Sequence, residues 1–231
     1  MLQHTYYTAV GRYLYKTDGA GRTYPVLICK QEEHCVDLQE MTLWTALNWR
    51  LLDHRQAEQQ YHKLAQDLLP APPRSFDDCL NRLCVRGLAA EGKGETSLDA
   101  LYDLLSDLYI CPATSGVLQR LCKFLKMTVL DGVAVSNASK LLRRDQRSDR
   151  GSQIMRLSRQ TLLSTAELVK CVENGVTDLS TDCKVLDALY GDAETTCDNI
   201  GFIMHSAESM QAVVVAVSNL YLRQQVILER V

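Results

Sequence analysis

The chain has 231 residues, of which 46% are apolar and 23% charged, with 25 Lys and Arg against 28 Asp and Glu for a formal net charge of −3. These are ordinary globular values, so wholesale disorder is excluded, and the length permits one domain or two. No apolar run approaches a membrane span, and Met1-Leu2-Gln3-His4 lacks the charged and apolar tandem of a signal peptide, so a cytoplasmic protein without membrane contact is expected.

Residues 5–16 are rich in tyrosine (Tyr6, Tyr7, Tyr13, Tyr15), and residues 22–29 contain Tyr24, Val26, Leu27 and Ile28. The turn signal Asp18-Gly19-Ala20-Gly21 between them predicts a β-hairpin arm over residues 1–35, with Pro25 confining its strand to an edge. The tyrosines suit a base-stacking platform, or a half-buried strand or dimer contact. From Asp37 the period becomes helical. Asp37 and Glu40 form a capping-box pair, and Leu38, Met41, Trp44, Leu47 and Leu51 define a stripe running to Leu52. Ala57, Tyr61, Leu64, Ala65 and Leu68 define a second helix, stopped by the Pro70 to Pro73 cluster.

Ser75 and Asp78 form another capping-box arrangement, and Phe76, Cys79, Leu80, Leu83 and Cys84 share one stripe up to Gly87, a residue suited to positive φ. Asp77, Asp78, Asn81, Arg82, Val85 and Arg86 then face outward. Glu91-Gly92-Lys93-Gly94-Glu95 predicts a glycine hairpin, and Thr96 or Ser97 caps a helix with Leu98, Leu101, Leu105 and Leu108 on its buried side. Over residues 36–108 this order resembles the recognition helix and wing of winged-helix DNA-binding domains, in particular MarR and PadR-like regulators. Gly87, Gly92 and Lys93 also fit a phosphate-binding Gly-x-x-x-x-Gly-Lys start. Against that stand Gly94, where a Ser or Thr hydroxyl is needed, and the helix, not a strand, that precedes it.

After Ile110-Cys111-Pro112 the pattern becomes wholly helical, so a boundary is placed near residue 110 and an all-helical dimerisation or sensing domain over 111–231. Its predicted helices are 117–128, 136–142, 153–174, 180–190, 192–205 and one from Met210 through Ile227 and Leu228. Between Lys140 and Arg159 lie seven basic residues and two acids, which makes Lys140, Arg143, Arg144, Arg147 and Arg150 a second phosphate-binding candidate or a solvated loop. The fold class expected is therefore mainly α with an α+β N-terminal part: a hairpin arm, a winged helix-turn-helix, and a helical domain.

The nine cysteines show no Cys-x-x-Cys, and Cys29, His34 and Cys35 lack a second ligand pair at zinc-site spacing. Cys79, Cys84, Cys122, Cys171 and Cys183 sit in or near apolar stripes, as reduced thiols packing like small hydrophobes do. No metal or cofactor is expected. Cys29 with His34 and Cys35, and His205 beside Ser206 and Glu208, are the nearest approach to a catalytic set; neither carries a motif, and a non-enzyme is expected.

Two functions follow. The resemblance implies a transcriptional regulator, in which Ser75, Asn81 and Arg82 enter the major groove of double-stranded DNA. Arg74 and Arg86 then touch phosphates, and Lys93 reaches out from the wing tip. It further implies a homodimer, with room for a small-molecule effector. Charge points elsewhere: residues 1–109 hold 11 Lys and Arg against 15 Asp and Glu, a net of −4. An acidic winged helix fits a non-enzymatic module that holds another protein.

Overall fold

The computed structural model describes residues 3–68, 74–113 and 148–231. They form a mixed α+β structure with nine helices and eight strands among the described residues, in place of the mainly α architecture expected. The helices predicted at 117–128 and 136–142 lie outside the described residues.

The tyrosine-rich stretch divides into two strands that serve different sheets. β1 (His4–Ala9) is the centre of a three-stranded antiparallel sheet, whereas β2 (Arg12–Thr17) pairs with β3 (Thr23–Cys29) in the expected hairpin. Gly11 makes the break: its φ is +85°, and a Cβ there would lie 2.3 Å from the Ile28 carbonyl oxygen, so only glycine fits. Asp18 closes the hairpin by accepting the N–H groups of Ala20 and Arg22 on one carboxylate oxygen. Pro25 is not on an edge strand as expected, because β4 (Glu32–Cys35) adds to β3 on its other side. That pairing begins at Val26, so the proline stands just outside the ladder that needs an N–H.

The capping box of Asp37 and Glu40 starts α1 (Leu38–Leu47), which ends five residues earlier than its apolar spacing suggests. Trp49 takes a φ of +60°, and Leu52–Asp53 (β5) leaves the helix to pair with β1. Leu38, in the first turn, is exposed, while Leu43, Trp44, Ala46 and Leu47 form the buried side. α2 (His54–Leu68) buries Ala57, Tyr61 and Ala65, and α3 (Phe76–Val85) buries Phe76, Cys79, Leu80 and Leu83 as its stripe predicts. Gly87, at φ +72°, ends α3, with Leu88 N–H donating to Leu83 O and Gly87 N–H to Cys84 O.

The predicted glycine hairpin is replaced by a single strand. β6 (Ala89–Gly94) runs antiparallel to β1 in continuous register from Ala9↔Ala89 to His4↔Gly94. The glycines serve close packing, not a turn: a Cβ on Gly92 would meet Leu104 N at 2.3 Å, and one on Gly94 would meet Ala100 N at 2.4 Å. Both atoms belong to the backbone of α4 (Ser97–Leu105), capped by Thr96 with Asp99 in a full capping box. The sheet order is β5-β1-β6, so the N-terminal strand occupies the place where a returning wing strand was expected.

The C-terminal half is not wholly helical. α5 (Asp149–Leu157) and α6 (Thr165–Glu173) replace one predicted helix, divided where Ser164 and Glu167 form their own capping box. α7 (Asp182–Tyr190) and the short α8 (Ile200–Met204) follow. α9 (Met210–Leu222) stops before the left-handed Gln224, and Val226–Glu229 (β8) pairs with β7 (Tyr109–Pro112). The boundary placed near residue 110 therefore falls on a strand bonded to the chain's last strand. One buried cluster runs from Tyr7 and Trp44 through Leu108 to Val217 and Leu228. Tyr221 of α9 ties into it. Its hydroxyl accepts from Trp49 N–H at 3.0 Å, donates to the Ala9 carbonyl at 3.3 Å and lies 2.9 Å from Thr8 Oγ1. Burial pushes that phenol up to about 12.

Gly92→Ala forces a methyl group into helix backbone that cannot yield, so it should destabilise the protein by about 2 kcal/mol or more in urea unfolding. Gly19→Ala, with nothing within 4 Å of the added methyl, should leave the midpoint unchanged.

Candidate functional site

The outward face of α3 was expected to read nucleic acid, and its charges have partners inside the protein. Glu40, at the third position of α1, is only 2% exposed and receives two arginines spaced i, i+4 on α3. Arg82 Nε donates to its Oε1 at 3.0 Å and Arg86 Nη1 to its Oε2 at 2.9 Å. Arg86 Nη2 also donates to the Cys35 carbonyl at 2.6 Å, and Asp37 N–H donates to Glu40 Oε2 at 3.2 Å. Arg74 is ion-paired with Asp37. Burial pushes the Asp37 carboxyl up, but the Glu40 N–H and the Arg74 guanidinium outweigh it and hold the group below its ordinary range.

Ser75 caps α3, accepting Asp78 N–H at 3.1 Å, while its hydroxyl donates to Asp78 Oδ2 at 2.6 Å. The reciprocal half of the expected capping box thus goes to the hydroxyl and not to the Ser75 N–H. Of the proposed reading residues only Asn81 stands exposed without a charged partner, beside Asp77, which His54 Nε2 meets at 2.7 Å. α3 and its C-cap carry Asp77 and Asp78 against Arg82 and Arg86, and both arginines are already paired with Glu40 of α1.

Lys93 does not occupy a wing tip, because there is no wing hairpin at its position. It sits within β6 opposite Thr5, with Nζ 2.9 Å from Glu91 Oε2 and its N–H donating to Asp103 Oδ2. In the second basic segment, Arg150 begins α5 and donates to Gln153 Oε1 at 2.7 Å. Lys140, Arg143, Arg144 and Arg147 lie outside the described residues.

The other candidate clusters are dispersed. Tyr6 and Tyr7 belong to one sheet and Tyr13 and Tyr15 to another, where Tyr13 packs edge-on to Trp44 with centroids 6.0 Å apart. Cys29 is buried and Cys35 exposed, and His205 pairs with Asp99 at 3.3 Å. Burial pushes the Cys79 and Cys84 thiols up to about 11 and Cys171 up to about 12, away from the thiolate form a nucleophile needs. Among the described residues, no group of three or more His, Cys, Asp or Glu side chains could hold a metal ion. No helix there is long and apolar enough to cross a membrane.

A concavity of about 660 Å³ opens between the end of β6, the outer side of α4 and α8. Glu95, Asp99, Asp103 and Asp107 follow one another at intervals of four along α4 and its flanks, and Asp198 adds a fifth carboxylate. The i, i+4 spacing of the four acids is legible in the sequence, on the side of the helix away from its leucine stripe. Tyr102, pushed up by burial and so kept protonated, donates to the Gly201 carbonyl at 2.6 Å and fixes α8 against α4. Phe202 of α8 lines the opening and is 86% exposed.

No family model, curated protein or solved structure matches the chain.

Glu40→Gln removes the charge that both arginines share, so it should lower stability by about 1.5–3 kcal/mol in urea unfolding. Asp77→Asn, which loses only a pair open to solvent, should fall within about 0.5 kcal/mol of wild type.

Proposed function

We propose that the chain is a non-enzymatic protein-interaction module. The observation that carries this reading is the engagement of Arg74, Arg82 and Arg86 by Asp37 and Glu40, which offsets the positive charge that duplex binding needs on the α3 face. On this reading residues 38–94, ordered as helix, strand, two helices and strand with β1 beside the last, serve as a winged-helix scaffold. That scaffold serves nucleic-acid and protein binding alike, so the charge of its surface decides between them. The lack of a projecting wing at Lys93 and the excess of acid along α4 both favour protein. Val85, 79% exposed next to Arg86, offers an apolar contact on the same face.

The test is fluorescence anisotropy with a labelled duplex from the region upstream of the coding sequence, beside a scrambled duplex, at about 50 and 200 mM salt. The module should bind neither duplex preferentially, and Arg82→Ala should change nothing. Tight, sequence-dependent binding with a steep salt slope, abolished by Arg82→Ala, would establish the transcriptional regulator instead.

A further inference from the structure

The groove between α4 and α8 gathers carboxylates and an exposed aromatic ring, of which the fold engages Asp99, in the α4 capping box, and Asp103, through the Lys93 N–H. Its lining holds Glu95, Asp99, Asp103, Asp107 and Asp198 against Lys93, whose ammonium is already paired with Glu91. Five carboxylates thus stand against one lysine in the lining. Among the described residues none of Glu95, Asp103, Asp107 and Asp198 is ion-paired, while Asp99 pairs with His205 and accepts from Thr96.

Asp99 supports the helix through its capping box, but the acids that follow it work against the fold that carries them. Like charges four apart on a helix repel, and Asp103 and Asp107 lie at the C-terminal end of α4, where the helix dipole disfavours carboxylates. α4 has no basic residue in its last turn to offset them. Phe202 adds a second unfavourable feature, because a ring left in water forgoes the gain of burial. Both features are answered by one kind of occupant. An arginine or lysine side chain brings a cation to the carboxylates, lays its aliphatic stem along the ring and places its charge over the ring face. The volume, about 660 Å³, lies within the usual range for ligand pockets and admits more than one such side chain.

We infer that this groove docks an arginine- and lysine-bearing segment of a partner protein, with the α4 carboxylates taking the cations and Phe202 the stems. The inference rests on the interaction-module reading and names the chemistry of its partner.

The test uses the full chain and a fluorescein-labelled peptide of alternating arginine and leucine, with a control in which citrulline replaces every arginine. The arginine peptide should bind with an affinity that falls as salt rises, and the citrulline peptide should not bind. The double variant Glu95→Gln/Asp107→Asn should weaken binding at least about tenfold, and Phe202→Ala about threefold or more, at unchanged far-UV circular dichroism. All three residues are at the surface or line the opening, so folding is retained. Equal binding of both peptides, no binding, or undiminished affinity in both variants would overturn the groove as a cation-docking site. The duplex titration runs in parallel: duplex binding overturns the module reading itself, whereas failure of the peptide without duplex binding overturns the groove alone.

Discussion

Glu40 is the constraint on which the N-terminal half depends. A carboxylate taken out of water is tolerated only when its charge is met by good hydrogen bonds, and here two guanidinium groups and a backbone N–H supply them. The two arginines come from successive turns of α3, the carboxylate from the first turn of α1, and Arg86 reaches on to the carbonyl of Cys35 at the end of β4. One buried ion therefore sets the positions of two helices and a strand relative to one another. It also sets the charge that the α3 surface presents, since both guanidinium groups are engaged with the Glu40 carboxylate.

A second constraint acts through the backbone. β1 pairs along its whole length with β6, and β6 lies so close to α4 that Gly92 and Gly94 have no room for a side chain. With the sheet filled by β1, no return strand projects, and Lys93 becomes a strand residue near an acidic groove. The C-terminal half closes over the same strand: Tyr221 reaches the backbone at Ala9 and Trp49, and β8 pairs with β7. These contacts leave exposed an acidic helix face beside the Phe202 ring, and leave Arg82 and Arg86 paired with Glu40.

Much of the local structure was legible in the sequence. The caps at Asp37, Ser75 and Thr96, the Asp18 turn, and the positive φ of Gly87 depend on neighbours within a few residues, so their chemistry can be read locally. What failed depended on distant partners. Leu52–Asp53 and Val226–Glu229 continue helical spacing, yet a waiting strand elsewhere captures each of them. Gly92-Lys93-Gly94 has the composition of a turn, and only the approach of α4 reveals that the glycines make space. The candidate site fared likewise. Arg82 and Arg86 fall outside the apolar stripe of α3, but Glu40 lies 42 residues before Arg82, and its capping-box spacing gives no sign of its second role as their counter-ion. The acidic run along α4, by contrast, was fully visible as a spacing of four.

The most direct test of the account is a double-mutant cycle between Glu40→Gln and Arg82→Ala, with stability taken from urea unfolding. A buried charge pair of the geometry described predicts a coupling energy of about 1 kcal/mol or more, so that the two losses together are smaller than their sum. Additive losses, within about 0.3 kcal/mol of the sum, would mean that Arg82 is not held by Glu40 in solution, and would return that arginine to the surface for nucleic acid.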